Sequence, residues 1–217
     1  MMGKKNKFIT LNQMSDLTSS VLYKTGYPLQ WNGLIQAVPI EDIIEIDFGI
    51  EWRWGEINQA GNELVMAALY PKRREIILNV SCRELFKEKF GTKLFSLAHE
   101  LGHWVLHAED ITGMQMSLFE GDVFYCRSNL ERSPIEYQAD LFAGCLLMPE
   151  AIVRPLMEEL NAKTMLTWQE LYNIADGFQV SISALTTRLQ QLKLLYIDSN
   201  KGLHRSKEEA IGQQTLF

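Results

Sequence analysis

Residues His99-Glu100-Leu101-Gly102-His103 lie inside an apolar stretch with helical spacing, and they constrain the fold more than any other feature of the chain. Imidazoles four residues apart stand one above the other on a helix face, where both can hold one metal ion. Glu100 beside them can take a proton from water that such an ion activates, so the HExxH pattern is an apparatus for metal-assisted peptide hydrolysis. It functions only when held rigid and completed from elsewhere, because catalytic zinc takes three protein ligands and keeps a fourth position open. Leu94, Phe95, Leu97, Ala98, Leu101, Val105 and Leu106 supply the apolar surface that holds it and predict a helix from Thr92 to about His107.

The candidate third ligand lies in Ser133-Pro134-Ile135-Glu136-Tyr137-Gln138-Ala139-Asp140. Glu136 and Asp140 share a helix face, so one carboxylate can ligate the ion while the other accepts a hydrogen bond from the far nitrogen of a ligand histidine. Ser133, Pro134 and Glu136 equally match a helix start with a capping box, which would make Glu136 a cap. Two features favour the metal: Asp140 on the same face, and the apolar stripe Ile135, Ala139, Phe142, Ala143, Leu146 and Leu147, since an acidic pair beside a buried stripe needs a cationic partner. The helix is expected over 134–147.

The combination of His-Glu-Leu-Gly-His at 99–103, Leu106-His107, and Glu136-x-x-Ala139-Asp140-x-Phe142-Ala143-x-x-Leu146-Leu147-Met148-Pro149 resembles the ImmA/IrrE family of metallopeptidases. Upstream, Pro39-Ile40-Glu41-Asp42-Ile43-Ile44 and Glu75-Ile76-Ile77-Leu78-Asn79 resemble the family's opening helix and the strand ahead of its motif helix. The family's second block usually reads Glu-x-x-Ala-Asn; here Asp140 stands in place of the asparagine, and aspartate accepts the same histidine hydrogen bond. The resemblance implies a zinc-dependent endopeptidase with His99, His103 and Glu136 on Zn2+, Glu100 as the catalytic base, and a helix-turn-helix transcriptional repressor as protein substrate. The alternative is a non-hydrolytic zinc protein that binds a regulator, as an accessory of a phage, a mobile element or a toxin–antitoxin system.

His107 continues the four-residue spacing, but it stands two turns, roughly 12 Å, from His99, too far to share one ion. It is expected to be structural, with a hydrogen bond near the helix end. No residue is assigned to oxyanion stabilisation; Tyr125, Tyr137 and His107 are the accessory candidates. His204, in a polar stretch, reads as surface.

The remainder predicts an α+β protein: a zincin-like domain with a small sheet and a helical body, followed by a helix-turn-helix-like segment. Leu11 to Leu22 and Pro39 to Glu45 read as helices. Ile50, Trp52 and Trp54 alternate with polar residues as a strand whose tryptophans pack in the core, and Glu63 to Tyr70 and Glu75 to Val80 read as two more around a turn at Pro71 to Arg74. The sheet is expected to be mixed or antiparallel. Ala108 to Arg132 reads as a long loop bordering the cleft. Thr167-x-x-Glu170 caps a helix toward Phe178 and Ser181 opens another. The expected division is 1–160 for the metallopeptidase domain, 161–198 for the helix-turn-helix-like module and 199–217 for a polar, frayed tail.

With 47% hydrophobic residues, 217 residues bury one good core. Three cysteines, without a CxxC pair, indicate neither a disulfide framework nor a cysteine metal site. The basic start has no apolar run after it and no segment reaches the length of a membrane span, which predicts a cytoplasmic protein. A net charge of -6 gives no general attraction for nucleic acid, and the second helix of the C-terminal pair offers only Arg188 and Lys193, so direct DNA binding is not expected. Oligomeric state is not legible.

Overall fold

A computed structural model describes residues 8–57, 64–113, 124–127, 133–163 and 166–214. Helix α1 (Leu11–Lys24) opens on a reciprocal capping box between Thr10 and Gln13 and buries Met14, Thr18 and Leu22, one residue per turn. The short α2 (Ile40–Asp42) runs straight into a π-helical turn at Ile43–Asp47, which buries both Ile43 and Ile44.

Strands β1 (Glu51–Gly55), β2 (Val65–Tyr70) and β3 (Glu75–Asn79) form a mixed sheet with β4 (Phe124–Arg127), in the order β1-β3-β2-β4. β1 runs parallel to β3, while β2 is antiparallel to both β3 and β4. The β2–β3 connection is a 3-10 turn at Pro71–Arg73 that Arg74 closes in the left-handed region, at φ 52°. Alternation sends Ala67, Leu69, Ile76 and Leu78 into the main core and Ala68 and Ile77 into a smaller cluster on the other face, which Val65 joins across the register shift between Val65 and Ala67. Trp52 and Trp54 pack half-buried against the main core, each with a cation over its ring, Lys93 and Arg83 respectively.

After α3 (Arg83–Glu88) comes the long α4 (Phe90–Gly113), which lies against β2, β3 and β4 and packs most extensively on α5 (Pro134–Leu147). α1 covers another side of α5. α5 keeps the bounds that its proline and apolar stripe predicted. α4 does not stop near His107 but continues to Gly113, and β4 forms within the stretch read as a loop. Residues 114–123 and 128–132 of that stretch, and the side chain of Tyr125, lie outside the described residues.

α6 (Glu150–Lys163), α7 (Trp168–Phe178) and α8 (Ile182–Gln191) follow. Thr167 and Glu170 form the expected capping box, and Gln179, left-handed at φ 55°, ends α7 and turns the chain into α8. Leu171, Ile174, Phe178, Leu185 and Leu189 join the same core as α4 and α5. Gly91 lets the start of α4 abut the entry of α8: a methyl at Gly91 would stand 2.6 Å from the Val180 carbonyl carbon. The segment expected to fray from Ser199 instead carries a strand and a helix as far as Gln214. β5 (Tyr196–Ile197) pairs with β6 (Leu203–His204), and α9 (Lys207–Gln214) follows. The Asp198 carboxylate accepts from the backbone N–H groups of Asn200 and Gly202 and from the His204 ring at 2.8 Å, so His204 anchors a hairpin rather than facing solvent freely.

Candidate metal centre

The centre is built where α4 crosses α5. On α4, His99 and His103 are buried and Glu100 is fully buried between them in sequence. The imidazole Nε2 atoms of His99 and His103 face each other at 3.0 Å. α5 brings Glu136 to this pair, with Oε2 at 3.1 Å from His99 and Oε1 at 3.3 Å from His103. Asp140, one turn on, accepts from Nδ1–H of His99 at 2.9 Å.

The structure bears on both readings of Glu136. Ser133 does cap α5, accepting from the Glu136 backbone N–H at 3.3 Å. In α1 and α7 the side chain three residues after the cap folds back to complete the box; in α5 both carboxylate oxygens of Glu136 are turned to the histidines instead. The backbone of Glu136 serves the helix start and its side chain faces the histidine pair.

These atoms fit a cation. With its Nδ1–H given to Asp140, His99 in its neutral, ligating form has a lone pair at Nε2, aimed at another imidazole nitrogen and a carboxylate oxygen; without a metal, a ring proton shared with Glu136 takes the place of the cation. Converging lone pairs repel unless a positive charge sits among them. One ligand atom from each of His99, His103 and Glu136 lies within 4.8 Å of the others. Bonds of ~2.0–2.1 Å in a tetrahedron place ligands about 3.3 Å apart, close to the separations found. Side-chain exposure is 2% for His99 and 0% for His103 but 31% for Glu136, so the donor set meets solvent on its carboxylate side.

Protonation also suits a cation. Burial pushes the Glu136 carboxyl up, but hydrogen bonds from His103 and His99 outweigh burial together and hold it at about 2. Burial drives His103 below the ordinary histidine value, aided by the charge of His99 and opposed by Glu136. The anionic carboxylate and the neutral imidazole are the ligating forms.

The other candidates fall around this centre. The His107 ring lies 5.8 Å from that of His103, one turn further along α4, and is outside the cluster of three. Tyr137 is exposed on α5 beside Glu136. Arg188, one of the two positive charges counted for DNA on the second helix of the C-terminal pair, is buried, with Nε donating to Met148 O at 3.1 Å at the end of α5. The sequence holds no local signal for that inward turn, which depends on where α5 ends.

An α+β fold with a histidine pair on one helix and a carboxylate on the next defines a two-histidine, one-carboxylate centre. Residues 88–190, which span α4 and α5 and run to α8, match the model of the IrrE N-terminal-like domain, Peptidase_M78. Among solved structures, the chain is similar in fold to a Mycobacterium tuberculosis transcriptional regulator, at 14% identity and a TM-score of 0.53. The alignment covers 90% of this chain and 55% of that one, so the chain spans about half the length of that protein. No curated protein matches the chain. Among the described residues, no helix is long and apolar enough to cross a membrane.

Proposed function

We propose that the protein is a zinc-dependent endopeptidase that cleaves a regulatory protein, a helix-turn-helix transcriptional repressor being the substrate class that its family resemblance implies. The observation that carries the reading is the convergence of His99, His103 and Glu136 on one point, with Asp140 fixing the tautomer of His99. These three residues would hold Zn2+, and Asp140 would orient His99. When bound, the ion supplies Lewis acidity, polarising the scissile carbonyl and making water a stronger acid.

Glu100 has the task of accepting the proton of the attacking water and delivering it to the leaving amine. Its carboxylate is fully buried on the ligand helix, an environment that excludes competing bulk water. Among the described strands the sheet ends on β1 and β4, and a substrate segment that pairs by its backbone would add to one of them; β4 belongs to the strand set packed on α4. Arg188 turned into the fold leaves α8 without an arginine for a phosphate backbone, which supports a protein target over DNA.

The test is a census of new protein N-termini in cells expressing the wild type or Glu100→Gln. A cut in one transcriptional repressor that depends on Glu100 is the expected result. A repressor that binds both forms equally and is cut by neither would establish the non-hydrolytic reading instead.

A further inference from the structure

Arg188 is 1% exposed, yet its two hydrogen bonds go to neutral atoms, Met148 O at 3.1 Å and Ser15 Oγ at 3.4 Å. Its Nη1 makes no hydrogen bond to any described residue. Glu150, whose charge it feels, is itself held by Arg154. A buried guanidinium ordinarily has a carboxylate partner, because taking an unpaired charge out of water is costly. The α5 carbonyl end offsets part of that cost and leaves one face of the fork unanswered.

The same residue lines a cavity of about 220 Å³ between α8 and the crossing of α4 with α5. The first turn of α8 borders it with Ser181 and Ser183, and Thr187 and Thr92 add two more hydroxyls. A helix start is the positive end of its dipole, so buried cation and helix end bias the cavity the same way. Phe95 supplies an apolar wall. Tyr137 and Asp140 also line it, the latter with an oxygen committed to the His99 N–H, so the cavity reaches a residue that borders the metal centre.

We propose that this groove is a carboxylate-binding subsite that receives an acidic side chain of the peptide held at the metal centre. Carboxylate recognition stands on the groove itself; the peptide as its source rests on the endopeptidase reading. Cation, helix start and hydroxyls answer the carboxylate, and the Phe95 wall accommodates the methylene stem that carries it. The substrate sequence therefore contains Asp or Glu near the cut bond.

The experiment is an amide-resolved NMR titration of the zinc-loaded full chain with three probes: N-acetylglutamate α-amide, its glutamine counterpart and acetate. None is hydrolysed at an internal peptide bond, so a protein that proves not to be a peptidase still answers the question. The glutamate probe is expected to shift the Ser183, Ala184 and Thr187 amides saturably and to bind at least about tenfold more tightly than the glutamine probe. Arg188→Met endangers the fold because Arg188 ties Met148. Thr187→Glu, at an exposed groove position, is the working variant, expected to erase the preference while leaving thermal unfolding unchanged. Equal binding of glutamate and glutamine probes, or a preference that survives Thr187→Glu, would overturn the subsite. Acetate binding as tightly as the glutamate probe would overturn its assignment to a peptide side chain.

Discussion

Gly102, inside the HExxH helix, stands so close to Ala139 of α5 that a side chain there is crowded: a methyl would lie 3.2 Å from both Cα and O of Ala139 and 3.1 Å from the Phe142 ring. Ala139 is flanked by Glu136 and Asp140, the residues that meet His103 and His99. The closeness of the helices at this point therefore sets the reach of both carboxylates. Gly102→Ala should force α4 and α5 apart, costing about 1–3 kcal/mol of stability by overpacking and weakening zinc binding with it. Urea unfolding and zinc competition against a chromophoric chelator check the two effects together. A stable variant with wild-type zinc affinity would show that the crossing does not set the site.

Asp140→Ala removes the acceptor for His99 Nδ1–H and leaves the three ligands in place. Zinc affinity should fall about 10- to 100-fold while the unfolding midpoint of the metal-free protein changes little. Asp140→Asn, which keeps an acceptor oxygen, should recover most of the loss. Equal zinc affinity in the alanine variant and the wild type would remove Asp140 from its orienting role.

Glu100→Gln preserves size and burial but cannot accept a proton. Zinc content measured by mass spectrometry should match the wild type, while the rate of substrate cleavage should fall at least about 10²-fold, the usual contribution of a positioned base. A variant that loses its zinc would point to a role for Glu100 in holding the centre together. A variant that cleaves at the wild-type rate would exclude Glu100 as the base.

The elements around the centre were legible because their signals are local. Ser133-Pro134 starts α5, Pro149 follows its end, and the buried stripe runs between, so its bounds and the faces of Glu136 and Asp140 follow from spacing alone. The far end of α4 was not legible: between His107 and Gly113 no residue forbids helix, and the helix continues to the next glycine. The hairpin after Leu195 had a signal in Asp198-Ser199-Asn200-Lys201-Gly202, a run of turn residues in which the Asp198 carboxylate gathers two backbone N–H groups. The direction of Arg188 is different in kind, since its partners are 40 and 173 residues away in sequence. Which way the Glu136 side chain turns, back to the cap or out to the histidines, is legible only in the geometry, since backbone and side chain take separate paths.

Acid should destabilise the metal-free protein in two limbs, both traceable to this site. Burial holds His103 below its ordinary value of 6.5, so as pH falls below 6.5 the unfolded chain takes up a proton that the folded protein resists. Glu136, held at about 2 against an ordinary 4.5 because its histidine hydrogen bonds outweigh burial, repeats this at lower pH: its contribution is complete above 4.5 and is lost as pH falls toward 2. In both windows the unfolded state binds more protons, so stability declines on acidification throughout. The urea midpoint of the zinc-free protein should therefore drop between about pH 7 and 5 and again below about pH 4.5. Glu136→Gln should erase the lower limb and deepen the upper, because Glu136 raises His103, whereas His103→Gln should erase the upper and shrink the lower. Saturating zinc should raise the midpoint at neutral pH and steepen its loss on acidification, because each imidazole must be unprotonated to bind. A wild-type midpoint that stays level from about pH 7 to 4 would mean that neither group differs in proton affinity between the folded and unfolded chain.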